Sequence, residues 1–440
     1  MHRTLLESLA VWKANPRRKP LILEGARQVG KTWLAHEFGR RCFERTAYVT
    51  FQDNAGLQSV FEGSLSPRRL LDAVSAESGV AAGDPETLVV FDEVQDCPRA
   101  LTSLKMFCEQ APEVPVVAAG SLLGVAMHRG ASFPVGKVEH MTVNPLTLVE
   151  FLMATGDEAL ANFIEARDFD MMGAFSERFA DALRRYYFVG GMPEAVAAYA
   201  DTGDYQAARA VQDRLLYDYD HDFSKYAGGE EAERIRMVWR SLPSQLAREN
   251  KKFVYSAVRP GARSRSFEGA INWLVDAGLA VKVPRVSKPG LPLAAYEDVG
   301  AFKLYMLDVG LLGAASRLDS STVFNGDALF SEFKGALTEQ YVCQQLAATG
   351  EVVPFYWSAE NSSGEIDFLY DHAGKVFPVE VKAERNVRAR SLRAFTAKYG
   401  GLCAVRLSLE GYREQGWMTN VPLCAAGILP SLDIPVSEMP

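Results

Sequence analysis

Residues 21–32 read L-I-L-E-G-A-R-Q-V-G-K-T, and this stretch decides the fold of the first part of the chain. The segment from Gly25 to Thr32 fits the pattern G-x-x-x-x-G-K-[ST], and it follows a short apolar run that predicts a β-strand. Glycines let the backbone curve closely around phosphate groups, so several N–H groups point inward where a helix begins. The alternative is a glycine-rich turn that fits the pattern by chance.

The motif predicts a loop that binds ATP with Mg²⁺. Lys31 would neutralise the β- and γ-phosphates and assist catalysis, and the Thr32 hydroxyl would bind Mg²⁺. The predicted cofactor-binding residues of this loop are Gly25, Ala26, Arg27, Gln28, Val29, Gly30, Lys31, Thr32 and Trp33.

Short apolar runs alternate with helical patterns through residues 1–150. This rhythm predicts a parallel sheet covered by helices. Strands are predicted at 21–23, 47–51, 88–91 and 114–119, and helices at 32–40 and 100–110.

The run L-V-V-F-D-E at 88–93 predicts an apolar strand that ends in two acids. Buried carboxylates are costly unless they meet a cation. Asp92 is therefore predicted to bind Mg²⁺, and Glu93 to polarise the attacking water. A later strand leads to Ser121, which is predicted to lie between the acid pair and the γ-phosphate. Nucleotide binding and hydrolysis are the expected functions of this part of the chain.

Composition places the chain among ordinary globular proteins. It has 440 residues, of which 48% are hydrophobic and 23% charged, with a formal net charge of −8. An acidic chain contacts nucleic acid only through a local basic patch. No apolar run approaches the roughly 20 residues of a membrane span, so no membrane partner is expected. The six scattered cysteines and the absence of a signal-peptide pattern favour a cytoplasmic protein.

The rest of the chain predicts three further segments. Residues 151–230 are helical and predict a lid. Residues 231–318 combine helices with a short β run, which predicts a winged-helix-like segment; a helical linker that touches only protein is the alternative. Residues 319–440 read as a separate α/β domain with a helix, several strands and a further helix.

Several motifs together resemble the prokaryotic AAA-type P-loop ATPases that carry a winged-helix segment and a C-terminal domain similar to restriction endonucleases. The motifs are G-A-R-Q-V-G-K-T, F-D-E-V-Q, A-G-S-L-L-G, F-P-V-G-K-V and N-P-L-T-L-V-E-F. The resemblance covers nearly the whole chain. It implies Walker and sensor roles for Lys31, Thr32, Asp92, Glu93 and Ser121.

ATPases of this type often complete their site with an arginine from a neighbouring subunit, which implies that the chain can form a homo-oligomer. Arg129, Lys137, Arg184 and Arg185 are the candidates, and none is assigned. Lys137 is a weaker candidate for this role than an arginine, because an ammonium group lacks the planar, two-pronged donor geometry of a guanidinium group.

The resemblance implies a C-terminal domain with the active-site pattern of restriction endonucleases. That pattern consists of a Glu on a helix, an Asp on a strand and Glu-x-Lys on the next strand. Glu339, Asp367, Glu380 and Lys382 match these positions in A-L-T-E-Q-Y-V, E-I-D-F-L and P-V-E-V-K. Alternation along a strand places Glu380 and Lys382 on one face. Three converging carboxylates would need a divalent metal, beside which Lys382 could activate water for phosphodiester hydrolysis.

Two alternatives stay open for this cluster. Glu-Lys pairs on strands are commonly solvated side chains without a site. A domain of this type can also bind nucleic acid without cutting it.

A local basic patch predicts a DNA partner. Residues 382–398 carry six basic side chains against one acid, Glu384, and arginine suits phosphate contacts. An ordinary solvated helix is the alternative. The basic residues are Lys382, Arg385, Arg388, Arg390, Arg393 and Lys398, and Arg259, Arg263 and Arg265 form a second, looser group in the winged-helix-like segment.

The sequence thus predicts an ATP-hydrolysing AAA-type protein that acts on DNA through its C-terminal domain. The alternative is a nucleotide-gated binding or regulatory protein whose endonuclease-like domain is inactive. A metabolic P-loop kinase is disfavoured, because no acceptor site is visible.

Overall fold

A computed structural model describes residues 1–121, 135–325, 331–359, 364–384 and 389–438. These residues form two compact units. The N-terminal unit comprises His2–Asn144 with Asp276–Gly278, and the C-terminal unit comprises Pro145–Val275 with Leu279–Pro440. Within the described ranges, no helix is both long and apolar enough to cross a lipid bilayer.

The N-terminal unit alternates strands and helices. Its strands are β1 (Leu21–Glu24), β2 (Arg45–Thr50), β3 (Thr87–Asp92), β4 (Val116–Ala119) and β5 (Glu139–Thr142). Its helices are α1 (Leu5–Ala14), α2 (Lys31–Cys42), α3 (Ala55–Glu62), α4 (Pro67–Ser78) and α5 (Pro98–Gln110), with a 3₁₀ turn at Val94–Asp96.

The five strands form one sheet in the order β5-β1-β4-β3-β2, and every neighbouring pair is parallel. The predicted parallel sheet is therefore confirmed. Strand β5 is not among the predicted strands, because E-H-M-T contains no apolar run that would mark it.

The central strands of this sheet are buried on both faces, which explains why they read as continuous apolar runs. Every residue of β3 is buried. On one face, Phe91 packs edge-on against Phe51, Phe61 and Phe107 at ring-centroid distances of 5.6–6.0 Å. This aromatic packing holds the strand that ends in Asp92 rigidly in the core.

The C-terminal unit is larger and combines a helical half with a mixed sheet. Its helices are α6 (Leu148–Ala154), α7 (Glu158–Glu165), α8 (Phe169–Ala174), α9 (Ser176–Val189), α10 (Pro193–Thr202), α11 (Tyr205–Tyr226), α12 (Gly229–Leu246), α13 (Tyr255–Val258), α14 (Ser264–Asp276), α15 (Val309–Ala315), α16 (Ser320–Asn325), α17 (Ser331–Thr349) and α18 (Arg390–Tyr399). Its strands are β6 (Ala280–Val286), β7 (Glu297–Met306), β8 (Phe355–Ser358), β9 (Glu365–His372), β10 (Lys375–Val381), β11 (Val405–Ser408), β12 (Arg413–Glu414) and β13 (Thr419–Pro422), and 3₁₀ segments cover Leu293–Tyr296 and Leu423–Ser431.

The strands of this unit follow the order β12-β13-β11-β10-β9-β8-β6-β7. Strands β6 and β7 form an antiparallel hairpin that follows helices α12 to α14, which is the element order of a winged helix. The hairpin also joins the larger sheet, because Arg285 of β6 pairs with Tyr356 of β8. The winged-helix-like and lid assignments, with their boundaries, stay predictions.

The hairpin of β9 and β10 was readable from local sequence. His372 lies opposite Lys375, and the two residues between them, Ala373 and Gly374, have φ values of +48° and +75°. Two consecutive residues with positive φ are what a type I′ hairpin turn requires. The turn fixes the register that places Asp367 and Glu380 on adjacent strands.

Gly25 offers a direct test of the phosphate-loop geometry. Its φ of +140° disfavours any side chain, and an added Cβ would lie 2.3 Å from the Val143 carbonyl oxygen. Gly25→Ala should therefore destabilise the N-terminal unit by about 1–3 kcal/mol, measured by urea denaturation. Gly56→Ala is the matched control, since its Cβ would meet only Asn54 Oδ1 at 3.8 Å. Equal stability of Gly25→Ala and the parent would contradict this account of the loop.

Candidate functional site

The loop between β1 and α2 curls back on itself. Gly25, Gln28 and Gly30 have φ values of +140°, +65° and +94°. Ala26 and Val29 bury their side chains in the protein, so at these positions the loop presents its backbone. A run of backbone N–H groups at the start of a helix forms an anion cradle. The geometry therefore fits the predicted phosphate site.

Lys31 lies buried at the first position of α2. Its Nζ donates hydrogen bonds to the Ala26 carbonyl at 2.6 Å and the Gly25 carbonyl at 3.0 Å. Burial lowers the pKa of Lys31 to about 8, and the nearby Glu93 and Asp92 carboxylates oppose that shift. Because its hydrogen-bond partners are neutral carbonyls, the positive charge of the buried ammonium group can interact with an anionic ligand.

Thr32 and Asp92 meet as predicted from their motifs. Thr32 Oγ1 donates to Asp92 Oδ2 at 2.7 Å. A hydroxyl beside a carboxylate is the hard oxygen donor set that suits Mg²⁺. These two residues would hold the ion, which when bound would neutralise charge on the β- and γ-phosphates.

Tyr48 is a component of this site that no sequence motif indicates. Its hydroxyl donates to Asp92 Oδ2 at 2.8 Å, and its ring lies 4.4 Å from the His36 ring. Burial and the Asp92 charge raise the pKa of Tyr48, which keeps the phenol protonated as a donor. The only signal in the sequence is its place on the strand next to β3, where alternation directs it towards one face of the sheet.

Glu93 adopts a strained backbone directly after β3, with a φ of +52°. Non-glycine residues in this region are uncommon and concentrate at functional sites. Its carboxylate accepts a hydrogen bond from the Gln95 side-chain amide, and its N–H donates to Asp92 Oδ1 at 3.0 Å. Gln95 and the turn thus orient the predicted catalytic carboxylate.

Three further predicted ligands lie near this edge of the sheet. Ser121 is buried just after β4, the strand that separates β1 from β3. Trp33 is 40% exposed on the first turn of α2, and Arg27 lies in the loop. Their contacts with nucleotide stay predictions.

Arg3 anchors the loop from far away in sequence. Its guanidinium donates to the Val29 carbonyl at 3.1 Å and to the Asn144 carbonyl at 2.6 Å. It is 5% exposed. No local pattern could have indicated this role, because the contact joins residues 26 and 141 positions apart.

The arginine-finger candidates are engaged within the chain. Lys137 pairs with Glu109 at 3.0 Å, Arg185 pairs with Asp157 at 2.6 Å, and Arg184 pairs with Asp181. Arg129 lies outside the described residues. The role stays unassigned.

In the C-terminal unit, Glu339 of α17 lies in a buried ion-pair network. It accepts from Lys251 Nζ at 2.7 Å and from the Tyr305 hydroxyl at 3.3 Å. Burial alone would raise the pKa of Glu339, but Lys251 and Lys303 hold it below its usual value. Its charge is therefore already compensated.

Lys303 of β7 adds a positive charge to the cluster of acids around Glu339. It is fully buried, and its Nζ lies 3.7 Å from Glu339 Oε2 and forms an ion pair with Glu365. Burial acts to lower the pKa of Lys303, but these two carboxylates outweigh burial and raise it. Lys303 therefore compensates the charge of Glu339, which is one of the predicted metal ligands, and of Glu365, which is not.

Asp367 and Glu380 lie on adjacent strands of the predicted hairpin. Asp367 Oδ2 accepts from the Val381 N–H at 2.7 Å, and Lys382 Nζ lies 2.9 Å from Glu380 Oε1. Burial, reinforced by Glu339, raises the pKa of Asp367 to about 7.

The predicted metal site of Glu339, Asp367 and Glu380 stays a prediction. Among the described residues, no group of three or more His, Cys, Asp or Glu side chains is arranged to hold a metal ion. Lysine ammonium groups lie beside two of the three acids, Glu339 and Glu380. Lys382 is held by Glu380, so its predicted role in activating water stays untested.

Three basic residues of the patch are exposed. Arg390, Arg393 and Lys398 project from α18, and Arg385 and Arg388 lie outside the described residues. Arg393 stacks over the Trp417 ring at 5.9 Å, and Lys398 lies 5.0 Å from the Tyr399 ring centroid.

Protein-family comparisons match three parts of the chain. Residues 17–152 match a family described as an AAA domain. Residues 180–322 and 334–425 match two families described as domains of unknown function, DUF8612 and DUF4143. No curated protein shows significant sequence similarity to this chain.

Solved structures show distant likenesses. The Walker-type ATPase PABY2304 of Pyrococcus abyssi is 16% identical, covering 71% of this chain and 94% of its own, with a TM-score of 0.43. The RuvB Holliday junction branch migration motor of Thermotoga maritima is 12% identical, and the match covers 64% of this chain and 90% of RuvB, with a TM-score of 0.29. PCH-2 of C. elegans is 16% identical, and the match covers 36% of this chain and 45% of PCH-2, with a TM-score of 0.23. These likenesses are too distant to transfer a function.

The family match and the geometry agree for one part of the chain. The matched residues contain the phosphate loop, the Thr32–Asp92 contact and the five-stranded parallel sheet. Residues 17–152 therefore match an AAA domain, and they carry a P-loop phosphate cradle on a parallel five-stranded sheet.

Proposed function

We propose that the chain is an ATPase whose nucleotide cycle controls how its C-terminal unit binds nucleic acid, and that this unit does not cut the strand it binds. The contact between Thr32 and Asp92 beside the buried Lys31 supports the ATPase activity. The exposed Arg390 and Lys398 of α18 support a nucleic-acid partner. The buried Lys303 supports binding without cleavage.

Each residue of the nucleotide site has a distinct proposed role. The loop N–H groups and the Lys31 ammonium bind the β- and γ-phosphates, and Thr32 and Asp92 hold Mg²⁺. Glu93 accepts a proton from the attacking water, and Gln95 and Tyr48 position the two carboxylates. Mg²⁺ contributes charge neutralisation on the phosphates when it is bound.

Separating binding from hydrolysis tests these roles. Glu93→Gln should keep ATP affinity and lower turnover at least 100-fold, because the amide cannot accept the proton. Lys31→Ala should lose ATP binding. The measurements are ATP affinity by calorimetry and phosphate release, with Glu44→Gln, an exposed residue of the same unit, as the control. Parental turnover in Glu93→Gln would refute the assignment.

The same assay tests the nucleic-acid partner. ATP turnover should rise when single-stranded, duplex or branched DNA is added, because nucleic acid would favour one nucleotide state over another. Identical turnover with every DNA form and with none would contradict the proposed coupling.

The lowered pKa of Lys31 predicts a pH dependence of ATP affinity. Phosphate binds the ammonium form, and with a pKa of about 8 most of that form is lost by pH 9. The ATP dissociation constant should rise roughly tenfold between pH 7 and pH 9. In Lys31→Arg the guanidinium stays charged, so any affinity it keeps should change less. A flat profile for the parent would show that Lys31 has an ordinary pKa.

A metal-dependent nuclease is the second candidate function. The observation that favours it is Glu380 Oε2, which is buried without a hydrogen-bond partner among the described residues. Plasmid nicking with Mg²⁺ or Mn²⁺ decides between the two. We expect none from the parent protein, and nicking that disappears in Asp367→Ala would establish the nuclease instead.

Replacing the buried ammonium tests its role in the cluster. Lys303→Met should destabilise the protein by about 3–5 kcal/mol, because it leaves buried carboxylates uncompensated. Added Mn²⁺ should partly restore the melting temperature of this variant by replacing the lost charge. Lys282→Met, on the neighbouring strand β6, is the control. A parental melting temperature for Lys303→Met would contradict the account.

A further inference from the structure

A cavity of about 760 Å³ lies in the C-terminal unit, outside the carboxylate cluster. It is bounded by the end of β6, by β8 and by one face of α18. The residues that define its chemistry are Arg285, Trp357, Arg390, Phe395, Lys398 and Tyr399. Its volume falls within the roughly 300–1,000 Å³ of pockets that hold small ligands.

The cavity is positively charged. Arg390, Ala394 and Lys398 are spaced four residues apart on α18 and so share one face of the helix. The small Ala394 leaves open space between the two cations. Neither Arg390 nor Lys398 forms an ion pair with a described residue, whereas Arg285 is paired with Asp298 at 2.8 Å. No acidic side chain belongs to the described lining, so the cavity suits an anion.

One wall of the cavity is aromatic. Trp357, Phe395 and Tyr399 contact one another at ring-centroid distances of 4.7, 4.8 and 6.2 Å. The Lys398 ammonium lies 5.8 Å from the Trp357 centroid and 5.0 Å from that of Tyr399. Cations beside aromatic rings accommodate a ligand that has both phosphate and a planar base.

Hydroxyl groups complete the lining. Ser287, Ser358 and Ser391 border the same space and can donate hydrogen bonds to phosphate or sugar oxygens. Charged, aromatic and hydroxyl groups in one cavity match the three parts of a nucleotide. An isolated inorganic anion would use only the charged and hydroxyl groups of this lining.

We propose that this cavity binds a nucleotide unit of single-stranded nucleic acid, with the phosphate between Arg390 and Lys398 and the base against the aromatic wall. The inference rests on the proposed function in its choice of nucleic acid as the source of the nucleotide. It adds a defined binding site on one face of α18, separate from general attraction to the basic patch.

The test uses the full chain carrying Lys31→Ala, so that the phosphate loop does not compete for nucleotide. Binding of a fluorescent oligo-dT is followed by anisotropy at several salt concentrations. Arg390→Ala and Lys398→Ala should each weaken binding about tenfold and reduce the dependence on salt by about one phosphate contact. Circular dichroism of each variant is the check that the alanine substitution leaves the protein folded.

Arg393→Ala is the matched control. It removes the same charge from the same exposed helix, but Arg393 does not line the cavity and stacks over Trp417 instead. It should weaken oligo-dT binding less than twofold. Equal losses in Arg393→Ala, Arg390→Ala and Lys398→Ala would show only diffuse charge attraction and would overturn the proposal.

Competition distinguishes the sources of the nucleotide. Unlabelled oligo-dT should displace the probe far better than dTMP or a duplex of equal length. A duplex that competes equally would overturn the inference, and dTMP that competes equally would assign the cavity to free nucleotides and overturn it too.

Parental ATP turnover separates the two proposals. If Arg390→Ala loses oligo-dT binding but DNA never changes turnover, the cavity stands and the coupling fails. If DNA stimulates turnover and Arg390→Ala has no effect on either measurement, the coupling stands and the cavity assignment fails.

Discussion

Parallel strand pairing is the constraint on which the nucleotide site depends. In a parallel sheet all strands end at the same edge, so the loop after β1 and the acids after β3 lie close together across β4. The Thr32 hydroxyl then reaches Asp92 at 2.7 Å, and Tyr48 reaches the same carboxylate from β2. The helix after β1 and the strands β2 and β3 thus supply the oxygen atoms of one site, and the aromatic packing around Phe91 fixes the strand that carries the acid.

The two units treat buried acids in different ways, and the difference bears on their chemistry. In the N-terminal unit, Asp92 accepts hydrogen bonds from neutral hydroxyl groups, which leaves its negative charge available to a metal ion. In the C-terminal unit, Glu339 faces the ammonium groups of Lys251 and Lys303. The first arrangement calls for a cation from outside the protein, and the second already contains one. An endonuclease-like pattern of acids is therefore compatible with a domain that binds without cutting.

Much of the nucleotide site and part of the second domain could be predicted, because both depend on local rules. The glycine spacing of residues 25–30 indicated the loop, and apolar runs indicated strands buried on both faces. The turn D-H-A-G-K indicated a hairpin, and alternation placed Glu380 and Lys382 on one face, where they form an ion pair. Tyr48 and Arg3 could not be predicted in the same way. Each acts through a contact with residues far away in sequence, and neither belongs to a motif.

The sequence by itself indicated the phosphate loop, the acid pair and the alternation of strands and helices that predicts a parallel sheet, because these follow from side-chain spacing and backbone preferences. Only the tertiary structure decided what surrounds the distal acids. Lys303 lies 36 residues before Glu339 in sequence, on a strand that looks like an ordinary apolar run, and folding buries its ammonium among the carboxylates. Every helix and strand that packs against a buried cluster contributes to its net charge. A sequence motif contains only some of these elements, so it cannot predict that charge.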